Sequence, residues 1–119
     1  MDVQVINSDL IRGNIDPIIL SVLIPADNYG YSIIKEIYSK SGEQFELKEP
    51  TLYSSLKRLE KSGYVASYWG EETQGGRRKY YRITGQGLEA YREQVQAWQA
   101  AKALIDCMIV TGEKGDEDR

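Results

Sequence analysis

Positions 64–84 carry the sequence YVASYWGEETQGGRRKYYRIT, the most informative stretch of this 119-residue chain. Its two halves, 64–70 and 77–84, are rich in the aromatic and β-branched residues that favour strands. The six residues between them end in two adjacent glycines, which are typical of a turn. The pattern therefore predicts a β-hairpin, with three consecutive basic residues directly after the glycines.

Helical periodicity precedes the hairpin. Apolar residues recur at helical spacing over residues 8–24. Within this segment Pro17 either bends the helix or begins a new one that Asp16 caps, because an internal proline removes a main-chain hydrogen bond. A second helix is predicted over residues 29–41, with Asn28 as its N-cap.

A third helix is predicted over residues 50–62, and its two faces differ. Leu52, Leu56 and Leu59 form an apolar stripe, while the other face is hydroxylated and basic. Hydroxyl groups and lysine are common partners of phosphates and base edges in DNA. The residues of this kind near the helix start are Thr51, Tyr53, Ser54 and Lys57.

Three helices, a two-stranded hairpin and a terminal helix are the element order of a winged helix-turn-helix domain. We therefore expect a mainly α fold with a β-hairpin wing, of the α+β class, plus a long C-terminal dimerisation helix. In such a domain the third helix enters the major groove, and the hairpin tip reaches along the backbone or into the minor groove. At the tip, Gly75 and Gly76 would let the backbone approach DNA closely, and Arg77, Arg78 and Lys79 follow at once.

Strand alternation divides the basic residues of the hairpin between two faces. Arg77 and Lys79 share one face with Tyr81, whereas Arg78 lies on the other face with Tyr80. Because both faces cannot contact DNA, some of these bases are structural or solvated.

The charge distribution indicates a DNA-facing surface although the chain is acidic overall. With 15 basic and 18 acidic residues, the formal net charge is −3. Residues 48–82 nevertheless contain eight basic and four acidic side chains, so this segment carries +4 and the remainder −7. Such asymmetry is typical of one polyanion-facing surface on an acidic body, and the alternative is a solvated charged face.

The residue types that the sequence lacks exclude several functions. Without histidine there is no Ser-His-Asp triad, HExxH zinc helix or zinc-finger site. The lone Cys107 excludes an intramolecular disulfide and a CxxC motif, and we predict that it is a small buried hydrophobe. We therefore expect neither an enzyme nor a bound metal or cofactor. Because no apolar run reaches the roughly 20 residues that span a bilayer and no basic leader is present, we expect a cytoplasmic protein without membrane contact.

A terminal helix is predicted after Thr84, a candidate N-cap. Its apolar residues follow a spacing of three and four that is typical of helices that pair. The seam, in which Lys102 is the polar exception, consists of Leu88, Tyr91, Val95, Trp98, Ile105 and Ile109. The alternative is an amphipathic helix packed on its own domain. Pairing predicts a homodimer. We expect residues 1–84 to bind DNA, residues 85–110 to form the dimerisation helix and residues 111–119 to be a disordered tail.

Several of these segments resemble the signature of PadR-type transcriptional repressors. The resemblance rests on Thr51-Leu52-Tyr53, Leu56, Arg58-Leu59-Glu60, Gly63, the run 75–84 and the helix start over residues 28–34. It covers roughly residues 8–110, and the single C-terminal helix is similar to the family's small-chain branch, which includes multidrug-sensing repressors. The resemblance implies a dimer that binds an inverted repeat in double-stranded operator DNA and that a ligand between the subunits can release.

The resemblance also implies site residues. The family's DNA-facing positions are matched by Thr51, Tyr53, Lys57, Arg77, Arg78 and Lys79, and the chemistry of the residues themselves adds Lys48, Ser54 and Gly76. Relatives usually place a serine or asparagine N-cap at the position of Lys48, so this lysine would contact phosphate instead. Those facing a planar small-molecule effector would be Leu10, Gly13, Pro17, Trp98 and Lys102. Because Lys102 stands where a drug-binding relative carries an acid, neutral or anionic flat molecules are favoured over cationic ones.

Two alternatives stay open from the sequence. Trp98 is either core of the dimer interface or one half of an indole pair that sandwiches a planar ligand. The domain as a whole is either a repressor or a winged-helix module that binds another protein and leaves its basic surface solvated. The basic run 76–79 argues against the second interpretation.

Overall fold

A computed structural model of the chain describes residues 8–71 and 76–110. The predicted contact at Gly75 and the predicted tail over residues 111–119 lie outside these ranges. The elements in chain order are α1 (Ser8–Arg12), α2 (Ile15–Leu23), β1 (Asn28–Tyr29), α3 (Gly30–Lys40), α4 (Glu49–Lys61), β2 (Val65–Trp69), β3 (Lys79–Ile83), α5 (Gly85–Ile105) and a π-helical turn (Asp106–Val110). The fold is thus mostly helical with a small antiparallel sheet and a long C-terminal helix, as predicted.

The first predicted helix is broken, but not at Pro17. The chain turns at Asn14, whose N–H donates to the carbonyl of Ile11 at 2.7 Å, and α2 begins at Ile15. Pro17 therefore lies in the first helical turn, where the missing N–H costs no helical hydrogen bond. The prediction of Asp16 as a cap is wrong, because Asp16 is already inside α2.

The predicted N-cap Asn28 lies in a strand instead. Asn28 pairs with Tyr81 and Tyr29 pairs with Tyr80, which gives a three-stranded sheet in the order β1-β3-β2. An extended backbone at these two residues satisfies main-chain groups along the second edge of β3, so α3 begins only at Gly30. Asn28 accepts a hydrogen bond from the N–H of Tyr29 through its own side chain, at 2.9 Å.

The predicted hairpin is present and has two distinct faces. Its inner face is formed by Val65, Ser67, Trp69, Lys79, Tyr81 and Ile83, of which Val65 and Tyr81 are buried in the core. The register places Ser67 opposite Tyr81 and Trp69 opposite Lys79. The outer face carries the residues that alternate with these along the two strands, namely Ala66, Tyr68, Tyr80 and Arg82.

The core lies among α2, α3, α4 and the inner face of the hairpin. Each helix contributes an apolar stripe at helical spacing, and the polar sides of the helices face solvent. The largest completely buried side chains are Ile19, Leu20, Leu23, Ile33, Leu52, Leu56 and Leu59. This packing fixes which side of α4 is left exposed.

The last helix begins as predicted and then leaves the domain. Thr84 caps α5, since its hydroxyl accepts a hydrogen bond from the N–H of Gly87 at 3.0 Å and donates to the carbonyl of Gly63 at 2.7 Å. Beyond Ala90 no residue of α5 is buried. Cys107 is exposed rather than buried, because the residues around it project past the domain. No helix in the described ranges has the length and hydrophobicity that a membrane crossing would require.

Candidate nucleic-acid interface

The α4 helix exposes all four of its own residues that the sequence predicts to face DNA. Its leucine stripe is buried against the core, so the polar side is turned to solvent by the helical period alone. The exposed residues of the predicted set on this helix are Thr51, Tyr53, Ser54 and Lys57. The structure therefore brings them together on one accessible surface.

Lys48 lies at the start of this helix. It occupies the N-cap position in an extended conformation, and its side chain does not cap the helix. Its ammonium instead pairs with Glu46, with a distance of 3.2 Å between Nζ and Oε1. Because both side chains are mostly exposed, this ion pair is weak and Lys48 stays accessible to an anion.

Tyr53 combines packing with exposure. Its phenol ring lies against Gly30 at the first residue of α3, so closely that a Cβ on Gly30 would overlap with the phenol oxygen. The side chain is nevertheless 46% exposed. Tyr53 therefore joins α3 to α4 and still presents part of its ring to solvent.

The three consecutive bases of the hairpin each lie over an aromatic ring. On the inner side, the guanidinium carbon of Arg77 is 5.6 Å from the ring centroid of Trp69, and Nζ of Lys79 is 6.0 Å from the same ring. Arg78 faces the opposite way, with its guanidinium carbon 4.6 Å from the ring centroid of Tyr29. The structure therefore separates Arg78 from Arg77 and Lys79.

A tyrosine cluster supports the outer face. Tyr80 stacks on Tyr68 with ring centroids 5.8 Å apart and meets Tyr29 edge to face at 5.5 Å. The hydroxyl of Tyr68 donates to the carboxylate of Asp27, and this hydrogen bond raises the pKa of Tyr68 above its ordinary value. Arg78 thus covers one end of an aromatic layer that binds β1 to the hairpin.

Gly76 closes the described part of the hairpin tip. Its φ of 93° lies in the left-handed region that disfavours side chains, so the turn requires glycine at this position. A Cβ here would nevertheless meet no atom within 4 Å. The requirement therefore comes from the backbone conformation and not from crowding.

Four of the five residues predicted to face a ligand line two adjoining cavities beside α5. Leu10, Pro17 and Trp98 line a cavity of about 480 Å³ together with Tyr91 and Val95. A neighbouring cavity of about 390 Å³ adds Gly13 and shares Pro17 and Trp98 with the first.

Lys102 lines neither cavity. It forms an ion pair with Asp106 one turn further along the chain, with 3.7 Å between Nζ and Oδ2. Gln94 also lines the smaller cavity, although the sequence did not predict that it faces a ligand. Its side-chain oxygen is shielded from solvent without a hydrogen-bond donor in the described part of the chain.

The predicted dimer seam divides into two halves. Leu88, Tyr91 and Val95 are partly buried, and Tyr91 packs against the core of the same chain, so the alternative of packing on its own domain applies to this half. Trp98 is 46% exposed and Ile105 is 49% exposed, and the seam beyond them is equally open. The exposed large apolar residues at the end of the chain's helical part are Leu104, Ile105, Met108, Ile109 and Val110.

Sequence reasoning missed Trp69 as a member of the hairpin's basic surface. Trp69 lies ahead of the turn, and only the cross-strand register places it opposite Lys79. Pairing the two predicted strands from end to end would have indicated that Trp69 is a neighbour of Lys79, since directly opposite residues share a face.

Known proteins are similar to this chain along most of its length. Residues 19–93 match the profile of the transcriptional regulator PadR-like family. An uncharacterized protein of Lysinibacillus sphaericus is 43% identical over 104 residues, which cover 87% of this chain and 95% of that protein.

Two solved structures share both sequence and fold with it. A transcriptional regulator from Clostridium thermocellum is 50% identical with a TM-score of 0.81, over 88% of this chain and 99% of that one. A PadR family transcriptional regulator from Eggerthella lenta is 32% identical with a TM-score of 0.76, over 85% of this chain and 86% of that one. The similarity therefore extends well beyond the hairpin.

Proposed function

The chain belongs to the PadR-like family of transcriptional regulators, and from this premise we propose that it is a homodimeric repressor that binds an inverted-repeat operator in the cytoplasm. Regulators of this family bind DNA and are not enzymes. In this proposal residues 1–84 bind DNA and residues 85–110 pair the subunits. The observation that supports this proposal is the arrangement of two basic surfaces. The inner face of the hairpin is directed toward α4, and the exposed side of α4 carries hydroxyls and Lys57.

The proposed contacts follow from the chemistry of these surfaces. The α4 helix enters the major groove, where Thr51, Ser54 and Lys57 contact base edges and phosphates. Lys48, Arg77 and Lys79 contact the flanking backbone, and Gly76 allows the hairpin tip to approach it. These contacts concentrate positive charge on one side of a chain whose remainder is acidic.

The proposed dimer rests on apolar surface that the single chain leaves uncovered. The end of α5 exposes Ile105 and Ile109, and the larger cavity beside α2 is lined mainly by apolar side chains. A second copy related by a two-fold axis would cover both surfaces at once, because each subunit supplies the helix end and the cavity. The spacing of the two α4 helices would then set the spacing of the operator half-sites.

The proposed ligand response rests on Trp98. Its indole is half exposed at the junction of the two cavities, and near a two-fold axis it would meet its own copy. Two indoles can hold a planar aromatic molecule between them, and we propose that in this respect the chain is similar to the multidrug-sensing repressor LmrR. A ligand that fits only one arrangement of the subunits would shift the population toward it and change operator affinity.

The experiment that tests the repressor is a binding measurement on two DNA fragments. A labelled fragment of the gene's own upstream region is compared with a scrambled fragment of the same length, at two salt concentrations. We expect a preference for the upstream fragment of roughly 10³-fold or more, with affinity falling steeply as salt rises.

Weak and equal binding to both fragments contradicts the proposal for that region and favours the alternative of a protein-binding module. A separate experiment tests the ligand response. Planar aromatic compounds are added to the protein, and Trp98 fluorescence and operator affinity are measured in parallel. Ligands that bind near Trp98 and leave operator affinity unchanged would contradict the response while the repressor proposal stands.

A further inference from the structure

An exposed indole lies at the centre of the hairpin's inner basic surface. Trp69 is 56% exposed, although tryptophan usually covers an apolar surface. It is not part of the buried core. Two cations lie near its ring, with Arg77 at 5.6 Å and Lys79 at 6.0 Å from the ring centroid, and Glu71 lines the same surface pocket as Trp69 and Arg77. The ring therefore contributes to the placement of charge more than to the core.

The hairpin backbone holds Trp69 and these cations in register. Lys79 is directly opposite Trp69, and its ammonium also lies 5.9 Å from the ring of Tyr81, which is buried and fixed. Beyond the paired strands, the N–H of Gly70 donates to the carbonyl of Arg78 at 2.7 Å, and the guanidinium of Arg77 reaches the carbonyl of Gly70 at 3.5 Å. The arrangement is thus supported on both sides of the ring.

This basic surface is directed toward the helix proposed to read DNA. Ser67, two residues before Trp69 on the same face, donates a hydrogen bond to Glu60 of α4 at 2.6 Å. Tyr81 lies close enough to Tyr53 and Glu60 of α4 that they add to the effect of burial in raising its pKa. Because strand residues two apart share a face, Trp69 and Lys79 extend the α4 side of the hairpin.

We propose that Trp69 is a positioning residue for DNA binding, whose indole holds Arg77 and Lys79 on the α4 side of the wing so that both cations meet the operator backbone already ordered. This inference rests on the proposed function. Free arginine and lysine side chains lose considerable rotamer freedom when they bind phosphate, and a ring that restricts them beforehand reduces that loss. The ring acts through the two cations and need not touch DNA.

Two substitutions of Trp69 and one of the neighbouring Tyr68 provide matched variants. Trp69→Leu keeps apolar bulk and removes the π face, while Trp69→Phe keeps a ring. Tyr68→Leu removes an aromatic side chain from the adjacent residue on the outer face. Upstream-fragment affinity is measured for each, with thermal unfolding to verify folding.

We expect about ten-fold weaker binding for Trp69→Leu, because two exposed cation–π contacts are together worth roughly that factor in an equilibrium constant. Trp69→Phe should restore most of the affinity, and Tyr68→Leu should change it by less than about two-fold.

A mutant cycle separates positioning from direct contact. Trp69→Leu is repeated in the Arg77→Ala/Lys79→Ala background, where the ring has no cation to hold. A loss that disappears there supports the proposal, and an equal loss in both backgrounds overturns it in favour of direct stacking on DNA. Normal affinity of Trp69→Leu also overturns it while the repressor stands. A wild-type chain that does not prefer the upstream fragment instead contradicts the proposed function itself.

Discussion

The guanidinium of Arg58 binds both carboxylate oxygens of Asp16, although the two residues are 42 positions apart in the chain. The distances are 2.5 Å for Nη1–Oδ2 and 3.1 Å for Nη2–Oδ1. The hydrogen bond with Asp16 is the main reason that the pKa of Arg58 lies above its ordinary value. This pair connects α4 to α2, and Asp16 also lines the smaller cavity next to Trp98. This ion pair thus joins the lining of the proposed ligand cavity to α4, the helix proposed to contact DNA.

We expect Asp16→Asn to lower the free energy of unfolding by about 1 kcal/mol, since a bidentate pair with a partly buried carboxylate exceeds the usual surface ion pair. The looser attachment of α4 should also weaken operator binding. Urea unfolding and fragment binding measure the two effects. Asp9→Asn is the control, because its ion pair with Arg12 is exposed on both sides and should contribute less than about 0.5 kcal/mol. Equal losses for the two variants would show that Arg58 and Asp16 form an ordinary surface pair.

At Gly87, α5 packs closely against the ends of the hairpin. A Cβ at this position would overlap with the carbonyl oxygen of Tyr64 and lie 3.0 Å from Cγ1 of Ile83. We expect Gly87→Ala to destabilise the chain by about 2 kcal/mol, since a backbone group must move to make room. Gly85→Ala, in the same helix with no atom within 4 Å, should be neutral or stabilising. Thermal unfolding of both variants checks the difference, and a stable Gly87→Ala would contradict the close packing.

The exposed end of α5 predicts a concentration-dependent dimer. Ile105→Lys places a charge in the uncovered apolar seam, so we expect the subunits to dissociate. Sedimentation velocity should show the mass of one chain, 13.5 kDa, instead of twice that value. Gln96→Lys is the control, because Gln96 is exposed and lies on the opposite side of the helix from the seam. A dimer that withstands Ile105→Lys would place the interface elsewhere.

Tyr81 predicts a loss of stability at alkaline pH. Burial raises its pKa above the ordinary value of 10.0, because the phenolate is less well solvated inside the fold. With a higher pKa in the folded state, its contribution is complete below pH 10 and declines as pH rises beyond it. Unfolding of Tyr81→Phe should therefore depend less on pH above pH 10 than that of the wild type. Identical pH profiles would show that Tyr81 does not contribute to this decline.

Local signals in the sequence predicted much of the fold. Thr84 as a cap and the two strands of the hairpin are encoded within a few residues of where they occur. Asn28 was misassigned because its role depends on Tyr81, a partner far along the chain that offers an edge for pairing. A strong capping residue was in this case overridden by long-range strand pairing.

In the candidate site as well, features encoded locally were predictable from the sequence and features that depend on distant partners were not. The exposure of Thr51 and Lys57 is set by helical periodicity, which the sequence contains. The aromatic partners of Arg77 and Arg78 depend on hairpin register and on a third strand, so residue order alone could not assign them. The resemblance groups Lys102 with Trp98 at a ligand site, but Lys102 lines neither cavity and forms an ion pair with Asp106 of its own helical segment instead.

The two residues of β1 connect the hairpin to the beginning of α3. Tyr29 pairs with Tyr80 in β3 and is followed directly by Gly30, the first residue of α3, against which Tyr53 of α4 packs. A tilt of the hairpin relative to the domain must therefore displace the beginning of α3 as well. Amide hydrogens of the central hairpin and of the second turn of α3, whose N–H groups are bonded within the helix, should accordingly exchange with solvent through a single opening event.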